Sequence, residues 1–377
     1  MVVTNACAPD PRVMRHAEWM HEAGYEVTVH AFDRDQSSPM SENHNGVRIM
    51  RYHIGTTPYG GTLRTYQGIR RFQRHVVRTL LNEPPVLVYC HDADTLRVGM
   101  DVKAACGAPF VFDMHDLQHT WVRFAAPSST VRSFVAQRMK NRMLKRCQSA
   151  KAIITSSGKT PSSMHHGFAD WLNHHGQQAT VVENRPSPPF GPEKTAPADR
   201  WTVGFIGRVR DRQAIDALVA AVRSLPPHNR PSLRIAGDGV AAAGVRRMLM
   251  DLVEAGELEA EVSGAFTQEE LPELIAGIDV MFAMYAPQRG NIMQGALPVK
   301  MFDAASQGVP SVVNDGCLMG DVALEEGLGV TATWGDTAGI ADALLNAKDT
   351  VVTLDHTGER ERQRWLDAMR PVLEDLQ

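Results

Sequence analysis

The strongest constraint on the fold is an alternation of short β-branched runs with longer helical patterns, which stops once and then starts again. Such alternation is typical of stacked βαβ units. Continuous apolar runs such as residues 86–89 are typical of parallel strands covered by helices on both faces. The pattern breaks at 184–200, where five prolines predict a linker. The sequence therefore predicts two Rossmann-like α/β domains.

The predicted elements divide into two series. In the first, strands are predicted over 1–4, 26–32, 86–90, 110–114 and 152–155, and helices over 11–23, 63–81, 95–106 and 133–148. In the second, strands are predicted over 202–206, 233–236, 261–263, 280–284 and 311–314, and helices over 214–224, 240–254, 268–276 and 298–307. A last helix over 359–376 lies beyond both. The carboxyl ends of both sheets are expected to face a cleft.

Composition narrows the function classes. Residues 1–190 carry 22 basic against 15 acidic residues and 13 of the 15 histidines, although the whole chain has a net charge of −4. This uneven distribution of charge is consistent with two halves that bind different partners, or simply with charged side chains on solvent-exposed faces. No nucleic-acid-binding module accompanies the basic half, so nucleic acid is not an expected partner. The five cysteines form no C-x-x-C pair, which argues against a disulfide framework or a zinc knuckle.

Sequence patterns also bear on the expected location of the protein. No apolar run approaches the ~18 residues of a membrane span, and no secretory signal is recognisable. A reducing, cytoplasmic location is expected, with a peripheral position at the inner face of the membrane as an option. Residues 5–11 contain no glycine, so the dinucleotide fingerprint is absent after the first strand. Walker A, H-E-x-x-H and G-x-S-x-G motifs are absent too, which argues against a P-loop nucleotide hydrolase, a metalloprotease and a serine hydrolase.

Two segments of the second half suit an anionic ligand. Gly207 and Arg208 follow a predicted strand, where glycine allows close approach and arginine can bind phosphate oxygens. With Pro298 as first residue of the next helix, that helix would point free N–H groups at the cleft. Lys300 and Asp303 then share one face. The plainer alternatives are a structural arginine and an ordinary surface Lys–Asp pair.

In the first half, polar residues follow two buried strands. His91, Asp92 and Asp94 follow one, and His115 with Asp116 follows the next. Such positions face the crevice of an α/β sheet, so a histidine there can bind a substrate hydroxyl. The same residue types also suit a metal, and satisfied loop histidines are the plainer alternative. The doublets at 165–166 and 174–175 are interpreted as surface residues.

Several segments occur in a specific order along nearly the whole chain. They are Asp10-Pro11-Arg12-Val13 with 16–18 and 23–29, then 88–92, 111–116, 204–208, 235–239, 263–266, 297–303 with 308–310, and the helix around Trp365. Together they resemble the retaining nucleotide-sugar glycosyltransferases of family four, which have the GT-B fold. The resemblance implies an acceptor domain at 1–190, a donor domain at 191–355, and a helix at 356–377 that returns to the first domain.

The chain departs from the family pattern at three places. The family often has two glutamates in the donor loop, and this chain has Gly295 and Asp303 at these positions. One branch of the family has the pattern P-x-K-x-x-E instead, which Pro298, Lys300 and Asp303 resemble. The second basic residue of the phosphate site is missing, and Arg210 or Arg212 is the candidate substitute. The glycine-rich first loop is absent.

The resemblance implies metal-independent, retaining transfer from a UDP-, GDP- or dTDP-linked sugar to a small metabolite or a cell-envelope glycan precursor. It assigns His91 to the reaction centre, Arg208 and Lys300 to the leaving diphosphate, and Asp303 to a ribose hydroxyl. The backbone near Phe266 would contact the base. The implied donor-binding set is Gly207, Arg208, Arg212, Gly237, Phe266, Leu297, Pro298, Lys300 and Asp303, and the implied acceptor-binding set is Asp92, Asp94 and His115.

Two alternatives remain at this point. A GT-B nucleotide-sugar epimerase would share the fold, and a catalytically degenerate nucleotide-sugar-binding protein would explain Gly295 and the missing basic residue. The two arginine-rich helices suit an anionic acceptor or an anionic membrane surface. Membrane contact is not favoured, because no exposed aromatic anchor is expected beside Arg70, Arg71, Arg74 and Arg78.

Overall fold

The computed structural model describes residues 1–8, 10–58, 63–124, 126–192, 200–210, 212–289 and 291–376. Part of the predicted linker, including Pro197, and Pro9 in the first loop lie outside these residues. The chain divides into two compact units. Unit 1 comprises Met1–Gly158, Phe168–Glu183 and Arg362–Gln377, and unit 2 comprises Lys159–Gly167 and Asn184–Glu361.

Unit 1 is built on one mostly parallel sheet with the strand order β3-β4-β2-β1-β5-β6-β7-β8. Its strands are β1 (Val2–Val3), β2 (Thr28–Ala31), β3 (Ser41–His44), β4 (Val47–Arg51), β5 (Val88–His91), β6 (Phe110–Met114), β7 (Ala152–Thr155) and β8 (Thr180–Val181). Its helices are α1 (Pro11–Glu22), α2 (Leu63–Asn82), α3 (Leu96–Cys106), α4 (Gln118–Phe124), α5 (Thr130–Cys147) and α6 (Phe168–His174).

Unit 2 has a parallel sheet with the order β11-β10-β9-β12-β13-β14. Its strands are β9 (Thr202–Ile206), β10 (Ser232–Ala236), β11 (Glu259–Ser263), β12 (Val280–Phe282), β13 (Ser311–Asn314) and β14 (Gly329–Ala332). Its helices are α7 (Gln213–Ser224), α8 (Ala242–Glu254), α9 (Leu271–Ala276), α10 (Val299–Ala305), α11 (Leu318–Glu325) and α12 (Thr337–Lys348). The α/β alternation predicted from the sequence is confirmed in both units.

The last helix, α13 (Gly358–Glu374), contributes to the core of unit 1. Trp365, Met369 and Val372 are buried there against Val13 and Ala17 of α1. The Trp365 indole nitrogen donates a hydrogen bond to the Tyr89 hydroxyl at 3.1 Å. Burial of three large side chains from the far end of the chain makes this helix a structural part of unit 1.

The units differ from the predicted domains at their edges. Residues 159–167 pack with unit 2, because the backbone N–H and Nδ1 of His165 lie 2.8 and 3.0 Å from an Asp321 carboxylate oxygen. Arg185 also belongs to unit 2, where its guanidinium lies 2.6 and 2.7 Å from the Glu326 carboxylate oxygens. Buried charges need such partners, and these contacts bring segments placed in the first predicted domain into unit 2.

Some elements lie outside the sequence-based prediction. The β3–β4 hairpin turns at Asn45 and Gly46, both with positive φ. An Asn-Gly dipeptide is the strongest short hairpin signal, so the sequence did carry it. The elements from α11 to α12 complete the second sheet and its covering layer. Among the described residues, no helix combines the length and the apolar content that crossing a bilayer requires.

Candidate functional site

The parallel sheet of unit 2 has a topological switch between β9 and β12. From β9 the chain moves first to β10 on one side and later to β12 on the other. Ligands of open α/β sheets bind beyond the carboxyl ends of the strands at such a point. Gly207 and Arg208 directly follow β9, and the segment 283–285 directly follows β12. The sheet therefore places the predicted Gly-Arg pair at the expected end.

Glycines allow the loops after β9 and β10 to pack backbone against backbone. Gly207 donates to the Ala236 carbonyl at 2.9 Å, and Gly237 has a φ of +141°. A Cβ on Gly237 would lie 2.0 Å from the Gly207 carbonyl oxygen, so no other residue fits there. Gly237, a predicted donor-binding residue, therefore has a structural role: its lack of a side chain allows the Gly207 backbone to pack against it.

The ammonium group of Lys300 reaches the same strand end. Its Nζ atom is buried and lies 3.3 Å from the Phe205 ring centroid and 5.5 Å from that of Tyr285. A Cβ on Gly207 would lie 3.9 Å from this Nζ, so the ammonium group lies against the Gly207 backbone. Aromatic faces stabilise a partly desolvated cation. Gly207 and Lys300, two of the predicted donor-binding residues, thus lie close together.

The arginines after β9 differ in their surroundings. Arg208 is 58% exposed, and its nearest charged contact is Asp238 at 3.7 Å, a weak surface pair. Its guanidinium is therefore available to an anion at the end of β9. Arg212 lies at the start of α7, where its Nε donates to Asp216 at 2.8 Å in an exposed i,i+4 pair. Arg210 is exposed as well.

The helix that carries Lys300 is shorter than predicted. α10 spans seven residues from Val299, and Pro298 is its N-cap residue with φ −76° and ψ 119°. The expectation that Pro298 is the first helical residue is wrong, because its ψ is that of extended chain. Leu297 packs against the core of unit 2. Asp303 is half-buried on α10, three residues after Lys300.

Phe266 follows β11 and packs against the cluster that contains Ile206 and Ala236. These two residues end β9 and β10. The side chain is thus held under the strand ends, and the backbone at 264–266 borders the same edge of the sheet. Four predicted donor-binding residues therefore lie at the carboxyl end of the unit 2 sheet: Gly207, Gly237, Phe266 and Lys300.

Gly295 has a positive φ of +106° and no room for a side chain. A Cβ there would lie 2.5 Å from the Gly167 Cα and 2.6 Å from the His166 carbonyl oxygen. Contacts below 3.0 Å force the backbone to move. The glycine that replaces the family's first glutamate is thus required by packing within unit 2.

Arg289 is a candidate site residue that was not predicted from the sequence. Its guanidinium carbon lies 4.8 Å from the Tyr285 ring centroid, and its Nε is buried. Tyr285 therefore contacts two cationic side chains, Arg289 and Lys300. An Arg four residues after an aromatic residue is too common a pattern to signal a site. Only the fold shows that this arginine lies beside the Lys300 neighbourhood.

In unit 1 the corresponding switch lies between β1 and β5. His91 is the last residue of β5 and is completely buried. Its Nδ1 lies 3.2 Å from an Asp113 carboxylate oxygen and 3.2 Å from the His115 Nε2. Its Nε2 is buried and has no partner among the described residues. Since buried polar atoms are normally paired, this nitrogen is a candidate contact for a ligand hydroxyl.

Asp113 is the centre of this buried cluster. The Arg12 guanidinium donates to both carboxylate oxygens, at 2.5 Å to Oδ1 and 3.0 Å to Oδ2. His16 lies 3.1 Å from the same carboxylate. Burial alone would raise the pKa of Asp113, but Arg12 and the histidines hold it well below its ordinary value. Arg12 and Asp113 lie in segments 10–13 and 111–116, which carry the family resemblance, but neither was predicted as a site residue.

The two histidines of the cluster carry different charges. Burial lowers the pKa of His91 to about 4, so His91 is neutral. Burial also acts against a charge on His115, but the carboxylates of Asp92 and Asp113 raise its pKa to about 9. Asp92 has a positive φ of 66°, and its Oδ1 accepts a hydrogen bond from the His115 backbone N–H at 3.2 Å. His115 is therefore a cation next to neutral His91.

Asp94 binds the loop that follows β1. Its Oδ2 accepts a hydrogen bond from the Thr4 hydroxyl at 2.5 Å, and burial raises its pKa. Asp94 borders a pocket between α2, α3 and α5. Asp92 and His115 do not line that pocket. The three predicted acceptor-binding residues are therefore divided between the Asp113 cluster and this pocket.

His16, His91 and Asp113 have ligand atoms close enough to hold a metal ion. The fit to a cation is poor, because the Arg12 guanidinium already occupies both oxygens of the one carboxylate. The Arg12 guanidinium and the His115 imidazolium already lie at this carboxylate, so a metal ion would add a third positive charge that Asp113 alone does not offset. The cluster is better suited to orient His91 than to bind a divalent ion.

Family models match both units. Residues 8–165 match the model described as a glycosyl transferase 4-like domain, and residues 200–349 match that of the glycosyl transferases group 1. Together the two matches span most of the chain. No curated protein matches the sequence significantly.

Solved structures share the fold over the whole chain. Sucrose-phosphate synthase from Thermosynechococcus elongatus has 16% identity and a TM-score of 0.71, covering 100% of this chain and 96% of its own. HepE from Anabaena in complex with UDP-glucose has 15% identity and a TM-score of 0.64, with coverage of 100% and 98%. The catalytic domain of starch synthase IV from Arabidopsis thaliana, bound to ADP and acarbose, has 12% identity and a TM-score of 0.61, with coverage of 100% and 97%.

At such identities the structural matches establish the fold, and the family models add the family. The first match lies mainly in unit 1 and the second lies in unit 2. The chain belongs to the family-four type of glycosyltransferases with the GT-B fold.

Proposed function

We propose that this glycosyltransferase is a retaining enzyme that transfers a sugar from a nucleoside-diphosphate sugar to an acceptor hydroxyl or other nucleophile, without a catalytic metal. Unit 2 binds the donor and unit 1 binds the acceptor. The observation that carries the donor site is the position of the buried Lys300 ammonium, on the Phe205 ring and close to Gly207 at the end of β9. HepE in complex with UDP-glucose and starch synthase IV with ADP share this fold, which supports a nucleotide ligand here.

The cationic groups of unit 2 serve the leaving group. Lys300 and Arg208 bind the diphosphate and neutralise the charge that develops on it as the sugar leaves. Arg289, which lies on the Tyr285 ring, supplies the second basic group of the phosphate site, for which Arg210 or Arg212 was the candidate from the sequence. Fixed cations of this kind stabilise a departing diphosphate as a divalent metal does in other transferases.

The remaining donor contacts are polar. Asp303 accepts a hydrogen bond from a ribose hydroxyl, and the backbone near Phe266 contacts the base. Leu297, Pro298 and Gly237 shape the site through the backbone. His91 offers its partnerless Nε2 to a hydroxyl of the transferring sugar.

The reaction exchanges one bond at the anomeric carbon for another. The bond from this carbon to the diphosphate oxygen breaks, and its electron pair stays on the diphosphate. The acceptor oxygen attacks from the same face, and its proton passes to the departing phosphate oxygen. This front-face course retains the anomeric configuration and needs no protein nucleophile.

Structural observations weaken the degenerate-protein alternative. Gly295 is explained by the backbone of residues 166–167 rather than by loss of a catalytic carboxylate. Arg289, which lies on the Tyr285 ring, is the proposed second cation of the phosphate site. Neither observation bears on the epimerase alternative, which is tested by incubating the donor alone and following interconversion of the sugar.

Calorimetric titration with UDP, GDP, dTDP and ADP tests the donor site. We expect one nucleotide to bind selectively, and Arg208→Ala and Asp303→Ala to weaken that binding at least about tenfold, the loss of one charge-assisted hydrogen bond. Arg223→Ala is the matched control, because Arg223 forms an exposed pair with Glu257 elsewhere on unit 2. Absence of binding by all four nucleotides would refute the donor site.

Product analysis tests the finer claims. With the selected nucleotide sugar and an accepted acceptor, the anomeric proton coupling in the product reports whether the configuration is retained. Full activity in the presence of a chelator is expected. An inverted product, or activity that returns only with added metal, would contradict the retaining or the metal-independent part of the proposal.

A further inference from the structure

A pocket of about 360 Å³ lies in unit 1 between helices α2, α3 and α5. Four arginines line it: Arg70 on α2, Arg97 on α3, and Arg142 and Arg146 on α5. The pocket also borders Asp94 at the end of the β5 loop. Its volume is in the range of small-molecule sites.

The positive charge of this pocket is only partly compensated. Arg97 donates to Asp101 on its own helix at 3.2 Å. Within the described part of the chain, Arg70, Arg142 and Arg146 form no ion pair with a carboxylate. Partial burial, followed by the charges of Arg97, Arg142 and Arg70, lowers the pKa of Arg146. Three helices thus hold like charges together, which costs free energy unless an anion binds.

The carboxylates at the pocket already have partners. Asp94 accepts from the Thr4 hydroxyl, and burial raises its pKa. Asp116 accepts from the Trp121 indole nitrogen at 2.8 Å. These groups do not neutralise the arginines on the helices, but they can accept hydrogen bonds from hydroxyl groups at that end of the pocket.

Neutral polar side chains (Gln73, Gln118 and His119) and apolar side chains make up the rest of the lining, and the apolar ones form one wall. It includes Ile69 and Met143, with the exposed side chains of Tyr66 and Met139 at 55% and 36% exposure. Tyr66, four residues before Arg70 on α2, also corrects the expectation that no exposed aromatic residue lies beside the arginines of this helix. The pocket therefore combines a multiply charged anion site with an apolar wall and a hydroxyl-accepting end.

We propose that this pocket binds a phosphate monoester, and that the acceptor of the enzyme is a phosphorylated alcohol whose hydroxyl end lies toward Asp94. Several planar guanidinium groups suit the oxygens of a doubly charged phosphate, which they bind through paired N–H donors. The acceptor part of this inference rests on the proposed function. A small phosphorylated polyol and the headgroup of an anionic lipid share the chemistry.

Calorimetry with sn-glycerol 3-phosphate, inorganic phosphate and neutral glycerol as probes tests the pocket. We expect the phosphate ester to bind and glycerol not to bind. Arg142→Gln/Arg146→Gln should weaken the binding at least about tenfold. The control is Arg74→Gln/Arg138→Gln, which makes the same charge change on exposed positions of α2 and α5 outside the pocket. An equal effect of both double variants would show unspecific attraction and overturn the site.

Vesicles distinguish the two sources of the phosphate group. Sedimentation measures binding to phosphatidylcholine vesicles with and without phosphatidic acid. If binding requires phosphatidic acid and is lost only in Arg142→Gln/Arg146→Gln, the site is assigned to a lipid headgroup. Binding of sn-glycerol 3-phosphate without vesicle binding assigns it to a soluble ester. No pocket-dependent binding of either probe overturns the inference.

Nucleotide titration of the same variants separates this inference from the donor-site proposal. Both double variants should bind the selected nucleotide as the unchanged chain does, because all four substituted arginines lie in unit 1. If the nucleotide binds but neither phosphate probe does, the pocket assignment fails and the donor site stands. If phosphate probes bind but no nucleotide does, the proposed function fails and the phosphate site stands without its acceptor role.

Discussion

The Lys300 ammonium nitrogen lies 3.3 Å from the centroid of the Phe205 ring. This contact connects helix α10 to the carboxyl end of strand β9 and places a cation next to Gly207. A similar pair, Lys348 with Trp201 at 5.7 Å, lies near the beginning of the same strand. The carboxyl end of β9 is the end at which α/β proteins bind ligands, so the two pairs allow a matched comparison.

Lys300→Met should lower the affinity for the selected nucleoside diphosphate about 10- to 100-fold, because it removes a charge-assisted contact to phosphate while the thioether fills similar space. Lys348→Met should leave the affinity unchanged. Calorimetric titration of both variants measures the difference. Equal affinities of the two variants would mean that the Lys300 ammonium does not contact the nucleotide.

Gly295→Ala should destabilise the chain by more than ~2 kcal/mol, because the new Cβ would lie 2.5 Å from the Gly167 Cα in addition to the strain of a φ of +106°. Gly316→Ala provides the control, since Gly316 has a φ of +63° with no atom near the new Cβ. That variant should lose only ~1 kcal/mol from backbone strain. Urea unfolding measures both, and similar losses would contradict the packing explanation for Gly295.

His115 should give the stability a distinct pH dependence. Its pKa of about 9 in the folded chain is above the ordinary value of 6.5. Protonation therefore stabilises the folded state fully below pH ~6.5, and this contribution of up to ~3 kcal/mol is lost as the pH rises to about 9. We expect the His115→Gln variant to be less stable than the unchanged chain at pH ~6.5. Between pH ~6.5 and pH ~9 the variant should lose less stability than the unchanged chain.

Urea unfolding across this pH range, with His44→Gln at an exposed position as control, isolates the effect of His115. Parallel stability curves for the unchanged chain and His115→Gln would show that His115 is not charged in the fold. The buried His16 and His91 act in the opposite sense. Burial lowers their pKa values to about 3 and about 4, so their unfavourable protonation destabilises the fold as the pH falls below ~6.5.

Trp365→Phe should destabilise unit 1 by ~1–3 kcal/mol, because it removes the donor to the buried Tyr89 hydroxyl and part of a completely buried ring. Trp334→Phe makes the same change in a half-buried side chain that packs against the core of unit 2. Its effect should be smaller. Thermal unfolding with a probe in each unit measures both, and the absence of any loss for Trp365→Phe would contradict a structural role of α13.

Much of the fold follows from local sequence patterns. Strands such as β6, β7, β9 and β13 are predicted with their observed bounds, because buried parallel strands are short apolar runs that local composition reveals. The positions of Gly207 and His91 at strand ends follow from the same pattern. The resemblance to family-four glycosyltransferases, carried by the order of these segments, is confirmed by the family models.

The tertiary structure alone decided which side chains meet. Arg70 and Arg146 face one pocket although they are far apart in the sequence, Arg289 stacks on Tyr285 beside Lys300, and Gly295 is required by residues 166–167. Such contacts depend on the register and packing of elements that are distant along the chain, and no local periodicity encodes them. The sequence thus determined the alternation of strands and helices, while packing determined the charges and spaces that a ligand meets.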